Sequence, residues 1–247
     1  MADTANNQNQ TPVDDYFGGG NYTIKAGVNQ DIKVKSWSIE SNENNGKTSY
    51  YLKITYVHPQ QGIPEPEDGW STISELISFP HKALNADTIN KNSVKYGFIN
   101  PLRGFLSNFV DAESIKQRFA EVFQKLGIKD FDLENEDNFN TQAKEMVNGL
   151  FALAKDSIFN ISGVLVCGYT APREVDGKVK QYLTPHKFGQ SGCYKSAFRT
   201  NNDEELPAEK VNFTDDTDKK YNYWSYTRTT SSKPKEDVAP TVDNSGW

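Results

Sequence analysis

The chain is poor in the residues that carry covalent and metal chemistry. It holds two cysteines, three histidines and two methionines in 247 residues. Cys167 and Cys193 form no CxxC pair, and His58, His81 and His186 form no HxxxH pair. Zinc would require Cys167, Cys193, His81 and His186 to converge from distant positions, with no ligand spacing to support it. A Cys–His pair made in space stays open, but each histidine neighbours proline or lysine in an apparent loop. No GxxxxGK[ST] or GxSxG motif occurs, and Gly18-Gly19-Gly20 is a lone glycine run that opens no helix. The expectation is a non-enzymatic protein with no cofactor and no metal. Whether Cys167 and Cys193 pair with one another is left open. Their scarcity suits a reducing compartment.

Long apolar runs are also missing. None approaches the roughly 18 residues of a membrane span, and mean hydropathy is −0.72. The opening MADTANNQNQTPVDD has neither a charged n-region nor an apolar core, so it is expected not to be a secretory signal. The sequons at Asn21, Asn160 and Asn212 are then expected to stay unmodified.

Net charge is −6, against nucleic-acid binding when taken as a whole. The charge is uneven, however. Residues 162–200 carry six basic against two acidic side chains, whereas 201–218 carry seven acidic against one basic. A local field of one sign matters more to a strand binder than the sum.

Two β-hairpins are legible. In residues 31–57, Ile32 and Val34 alternate with Lys33 and Lys35, and Leu52 and Ile54 alternate with Tyr51 and Lys53. Asn45-Gly46 supplies the turn. A register with Trp37 opposite Tyr51 or Lys53 puts Ile32, Val34, Leu52 and Ile54 on one apolar face. The other face then carries Lys33, Lys35, Trp37, Tyr51 and Lys53. On this register Trp37→Ala with Lys35→Ala leaves thermal stability nearly unchanged. The second hairpin turns at Asp176-Gly177, with Arg173, Lys178, Lys180 and Tyr182 on its sides and Lys187 beyond. Rings that stack on bases, interleaved with ammonium groups that meet phosphates, form a platform for single-stranded nucleic acid.

Helical spacing governs residues 100–157. Leu102, Phe105, Leu106, Phe109 and Val110 form one stripe. Asp111 caps a helix with Ile115, Phe119, Val122, Phe123 and Leu126 inward, which Gly127 stops. Asn140 or Thr141 caps a third helix, with Met146, Leu150, Phe151, Leu153 and Ala154 inward. The aromatic stripe reads as core. Residues 70–79 form a third strand, 81–95 a loop or short irregular helix, and 159–169 a buried central strand in which Gly163 and Gly168 suggest a bulge or bend. Residues 221–228 form a closing strand. Strands, then helices, then strands give an α+β fold. The expected form is an OB-like antiparallel β-barrel over 21–228 with a helical insertion at about 100–157, flanked by a disordered arm (1–20) and a disordered tail (229–247).

This layout resembles the single-stranded DNA-binding proteins of tailed bacteriophages. The resembling pieces are NYTIKAGVNQDIKVKSW, YYLKITY, the phenylalanine-rich helical insert, SGVLVCGY and the charged tail. The resemblance implies an OB-type fold without catalysis, in the cytoplasm of an infected bacterium. It also implies coating of exposed DNA strands during replication or recombination, and a tail that recruits partner proteins. The tail departs from the pattern: Lys233 and Lys235 offset Glu236, Asp237 and Asp243, leaving Trp247 as its apolar tip. DNA against RNA, strand polarity and oligomeric state stay open. The rival reading is a virion or assembly protein whose sheet makes protein contacts.

Overall fold

Alternation along the first strand breaks twice, and the breaks set which side chains enter the core. In the computed structural model, residues 24, 26–44, 46–59, 70–82, 86–169, 173–175, 178–180, 182–185 and 196–200 are described. Strand β1 (Gly27–Asn44) turns inward at Gly27, Asn29, Ile32, Val34, Trp37 and Ile39, a spacing of two, three, two, three, two. The extra residues lie between Asn29 and Ile32, where Asp31 takes a φ of 56°, and between Val34 and Ser36. A β-bulge of this kind bends the strand and moves every later side chain to the opposite face.

The expected register therefore holds only as far as Val34, which pairs with Tyr56. Beyond the bulge at Lys35, Trp37 pairs with Ile54 and Ile39 with Leu52. Trp37 lies on the core side, its ring centroid 4.4 Å from that of Phe151. Its expected place beside Tyr51 and Lys53 is corrected accordingly. No glycine or proline marks the bulge, so plain alternation ran straight through it.

Around β1 lie β2 (Lys47–Val57), β3 (Thr72–Ser78), β4 (Ser162–Tyr169), β7 (Leu183–Pro185) and β8 (Phe198–Arg199), giving a six-stranded sheet ordered β3-β2-β1-β4-β7 with β8 also on β4. All its pairings are antiparallel. β5 (Arg173–Val175) and β6 (Lys178–Lys180) form a separate two-stranded ribbon. Both expected two-residue turns are present, since Asn44 pairs with Lys47 and Val175 with Lys178. Gly46 takes a φ of 71°, as such a turn demands.

The sheet is curled but not closed into a barrel. Cα atoms of β3 and β7 come within 8 Å, yet no strand pairing joins them among the described residues. The fold shown is α+β: this antiparallel sheet with three helices inserted between β3 and β4. The expected closing strand at 221–228, the arm at 1–20 and the tail at 229–247 lie outside the described residues.

β4 is buried from Val164 through Cys167, as a continuous apolar run in a central strand should be. Gly163, which pairs with Ile32, is a close-approach residue: a Cβ there would lie 2.4 Å from the Arg199 carbonyl oxygen and 2.8 Å from Phe198 Cζ.

The insert begins with a π-helical segment (Ser93–Ile99) that runs directly into α1 (Asn100–Leu106). α2 (Ala112–Leu126) starts at Asp111, whose carboxylate accepts from the Ser114 backbone N–H at 2.8 Å, and stops at Gly127 with φ 67°. Both ends were legible. α3 (Glu136–Ala154) starts earlier than expected, because Asn135 rather than Asn140 or Thr141 accepts the capping bond, from the Asn138 N–H. Asn140 is instead buried within the helix.

The insert covers the sheet's inner face through rings. Phe151 stacks on Phe105 at 5.7 Å as well as meeting Trp37, and Phe79 meets Phe98 at 4.9 Å. The Lys144 ammonium sits 3.6 Å from the centre of the Tyr50 ring, a cation–π contact between α3 and β2.

Two substitutions test this packing. Trp37→Ala should lower the free energy of unfolding by about 2–3 kcal/mol, somewhat less than loss of a fully buried ring. Gly163→Ala should lower it by about 1–3 kcal/mol through the clash with Arg199 and Phe198. Denaturant titration reads both, and a Trp37→Ala protein as stable as the parent would contradict the inward placement.

Candidate nucleic-acid interface

On the sheet's other face, the outward side chains of β1, β2 and β3 are half-buried or exposed, apart from Val57, which is buried. Across β1 and β2 the outward pairs are Lys33 with Val57, Ser36 with Thr55, Ser38 with Lys53 and Glu40 with Tyr51. On β3, Ser74, Leu76 and Ser78 continue the rows from Thr55, Lys53 and Tyr51. Lys33, Tyr51 and Lys53 thus share the face expected of them. Lys35 is exposed at the bulge, beside Ser36. Trp37 is absent from this face, so Tyr51 is its remaining ring among the residues expected there. Leu76, 51% exposed, adds an apolar side chain opposite Lys53.

Sequence reasoning missed Glu40, which the bulge carries onto the same face. Its carboxylate accepts from Ser38 Oγ at 2.9 Å and from the Tyr51 hydroxyl at 3.1 Å. Lys53 Nζ lies 3.2 Å from Glu40 Oε1 and 3.5 Å from Oε2. The Ser38 hydroxyl and then the Lys53 ammonium hold the Glu40 carboxyl below its ordinary pKa of 4.5, while the bond to Glu40 pushes the Tyr51 phenol up. Nothing in a local alternation pattern marks Glu40 as a partner of Lys53; only the register after the bulge does.

The second basic set lies elsewhere. β4 and β7 pair from Cys167–Pro185 to Tyr169–Leu183, and β5 and β6 continue in the same antiparallel sense from Arg173–Lys180 to Val175–Lys178. Arg173, Lys178 and Lys180 therefore belong to the separate two-stranded ribbon that lies between β4 and β7 in the chain. Tyr182, 56% exposed, lies between β6 and β7 in the chain. Lys33 pairs with Ser162, the first residue of β4, whereas the ribbon is entered beyond Tyr169, the last. The first set lies on the six-stranded sheet and the second on the two-stranded ribbon, so the two do not share one sheet face. Lys187 and Trp247 lie outside the described residues.

The inner face carries one polar group that alternation could have revealed. Glu75 stands between Ile73 and Ile77 on β3, is 2% exposed and accepts from the Tyr56 hydroxyl at 2.7 Å. Cys167 is fully buried, and burial together with the Glu75 carboxylate pushes its thiol up to about 12. A thiol protonated at neutral pH is neither a nucleophile nor a ready metal ligand. His81 is exposed, so it does not join Cys167; Cys193 and His186 lie outside the described residues. Among the described residues no cluster of metal-ligating side chains occurs, and no helix is long and apolar enough to cross a membrane.

Compared with known proteins, the chain matches no family model, no curated protein and no solved structure.

The Glu40 cluster predicts a pH dependence. A carboxyl whose pKa is lower in the folded state stabilises the fold fully above its unfolded value and loses that contribution as pH falls through the folded one. Glu40→Gln should therefore lower the melting temperature at pH 7, and the gap from the parent should shrink below about pH 4.5. Thermal melts of both proteins from pH 7 to pH 3 check this; a gap that does not change with pH would contradict it.

Proposed function

We propose that the protein binds single-stranded DNA, without catalysis and without strong sequence preference, as a coat for strands exposed during replication or recombination. The observation that carries this reading is the outer face of the β1–β2 hairpin. There Lys53 and Tyr51 stand on adjacent outward rungs of two paired strands, with Lys33 two rungs from Lys53 and Lys35 at the bulge between. Ammonium groups at strand spacing suit successive phosphates, and an exposed ring suits a base. The curled sheet is read as an OB-like sheet left open along β3 and β7. Tyr51 would carry the stacking first expected of Trp37, with Lys53 supplying charge beside it, and the β5–β6 ribbon with Arg173, Lys178 and Lys180 would extend the contact along the strand. The basic balance of 162–200 supports this in an otherwise acidic chain. Recruitment of replication proteins through the tail ending in Trp247 belongs to the same proposal.

A second reading is favoured by one feature of that face. Leu76 places an apolar side chain directly opposite Lys53, and a sheet face of mixed apolar and tyrosine character also suits protein contacts in an assembly.

Anisotropy of a dye-labelled oligo-dT at two salt concentrations separates them. DNA binding predicts saturable binding that weakens with salt. Lys33→Ala with Lys35→Ala should make the log–log salt slope shallower by about 1.4, two phosphates at roughly 0.7 each. An assembly protein would instead sediment in a concentration-dependent way and leave the oligonucleotide unbound.

A further inference from the structure

Three donors converge on one point of the outer face from two strands. Ser38 Oγ, the Tyr51 hydroxyl and Lys53 Nζ all reach the Glu40 carboxylate, at 2.9, 3.1 and 3.2 Å. Ser38 pairs with Lys53 and Glu40 with Tyr51, so the backbone register fixes the four residues as a square of two adjacent rungs. A hydroxyl, a phenol and an ammonium aimed at a pair of anionic oxygens match a phosphodiester as well as a carboxylate, because both offer two oxygens sharing one negative charge.

We propose that Ser38, Tyr51 and Lys53 form a binding site for one backbone phosphate, which the Glu40 carboxylate fills in the free protein and the phosphate takes over on binding. This rests on the nucleic-acid reading above and adds to it a named phosphate position and a built-in competitor. Glu40 sits on β1 beside its donors and is half exposed, with a side-chain exposure of 36% equal to that of Lys53. It can therefore turn out to solvent without disturbing the core. Exposed ion pairs are weak, so exchange of one anion for another is a small step. While Glu40 holds Lys53, that lysine adds little to the field an approaching strand meets, and Glu40 repels the phosphate that would replace it.

The test compares binding of dye-labelled oligo-dT by the parent, Glu40→Gln, and Glu43→Gln at several salt concentrations. Glu43 is exposed on the same strand, pairs with Thr48 and makes no contact with Lys53, so its variant carries the same charge change away from the site. Glu40→Gln should tighten binding about two- to fivefold, the scale of one exposed ion pair. It should also steepen the salt slope by about 0.7. Adding Lys53→Ala to Glu40→Gln should abolish the gain. Glu43→Gln should change affinity less than Glu40→Gln and leave the slope as it was. If the parent binds the oligonucleotide and the two glutamine variants behave alike, or Glu40→Gln binds more weakly, the phosphate site is wrong and the wider reading stands. If none of the proteins binds, both fall together.

Discussion

The fold depends on the backbone of one strand being out of step with a two-residue repeat. β1 pairs with β2 along one edge and β4 along the other, so any bend in β1 is passed to both neighbours. Its two extra residues supply that bend. The first lets Asn29 and Ile32 share the inner face, with Asn29 Nδ2 donating to the Leu165 carbonyl 3.2 Å away. The second turns Trp37 toward α3. Without it, Trp37 would face solvent, Phe151 would lose the ring it packs against, and Ser38 and Glu40 would point inward among Leu52 and Ile54. The same residue count therefore sets the core on one side and the charged square on the other.

Core and surface are linked through this register. The helical insert offers a stripe of rings, and the inner face of the sheet offers Trp37, Tyr50 and Tyr56 to meet it. Tyr56 stacks on Phe198 at 5.5 Å, and Phe198 on Phe109 at 5.7 Å, so β8 is held between the sheet and the residues following α1. Thr200 then donates to the Asn108 carbonyl at 2.8 Å, fastening the chain beyond β8 to the same region. A sheet braced in this way from one side presents the other as a rigid platform. Preorganised donors lose little freedom when they meet a ligand, and on the proposed reading Ser38, Tyr51 and Lys53 would gain in this way.

Much of the architecture was legible because it follows from local chemistry. Asn45-Gly46 and Asp176-Gly177 are strong turn signals in the sequence, and the strand residues on either side of each pair with one another. Asp111 and Gly127 bracket α2 for reasons written in their own side chains. The apolar run from Val164 to Cys167 announced a central strand. What stayed hidden depends on partners far away in the chain. The bulge at Lys35 has no residue signature, so Trp37 was assigned to solvent and Glu40 was overlooked. α3 begins at Asn135 because that residue caps it, although Asn140 and Thr141 are equally good caps in isolation. Closure into a barrel needs pairing between β3 and β7, whose sequences say nothing about each other. The basic residues of both hairpins were visible at once, but their division between two separate sheets was not.

The central claim is that the charged face of the β1–β2 hairpin, and not its aromatic inner face, receives the polynucleotide. The most direct measurement is a nuclear magnetic resonance titration with oligo-dT, following isotope-labelled methyl groups placed on the lysine ammoniums and the indole N–H of Trp37, with assignments from single substitutions. The account predicts that the Lys33, Lys35 and Lys53 signals shift in step with binding while the Trp37 indole signal stays in place. A Trp37 indole that shifts like a stacked ring, with those three lysines unmoved, would contradict it.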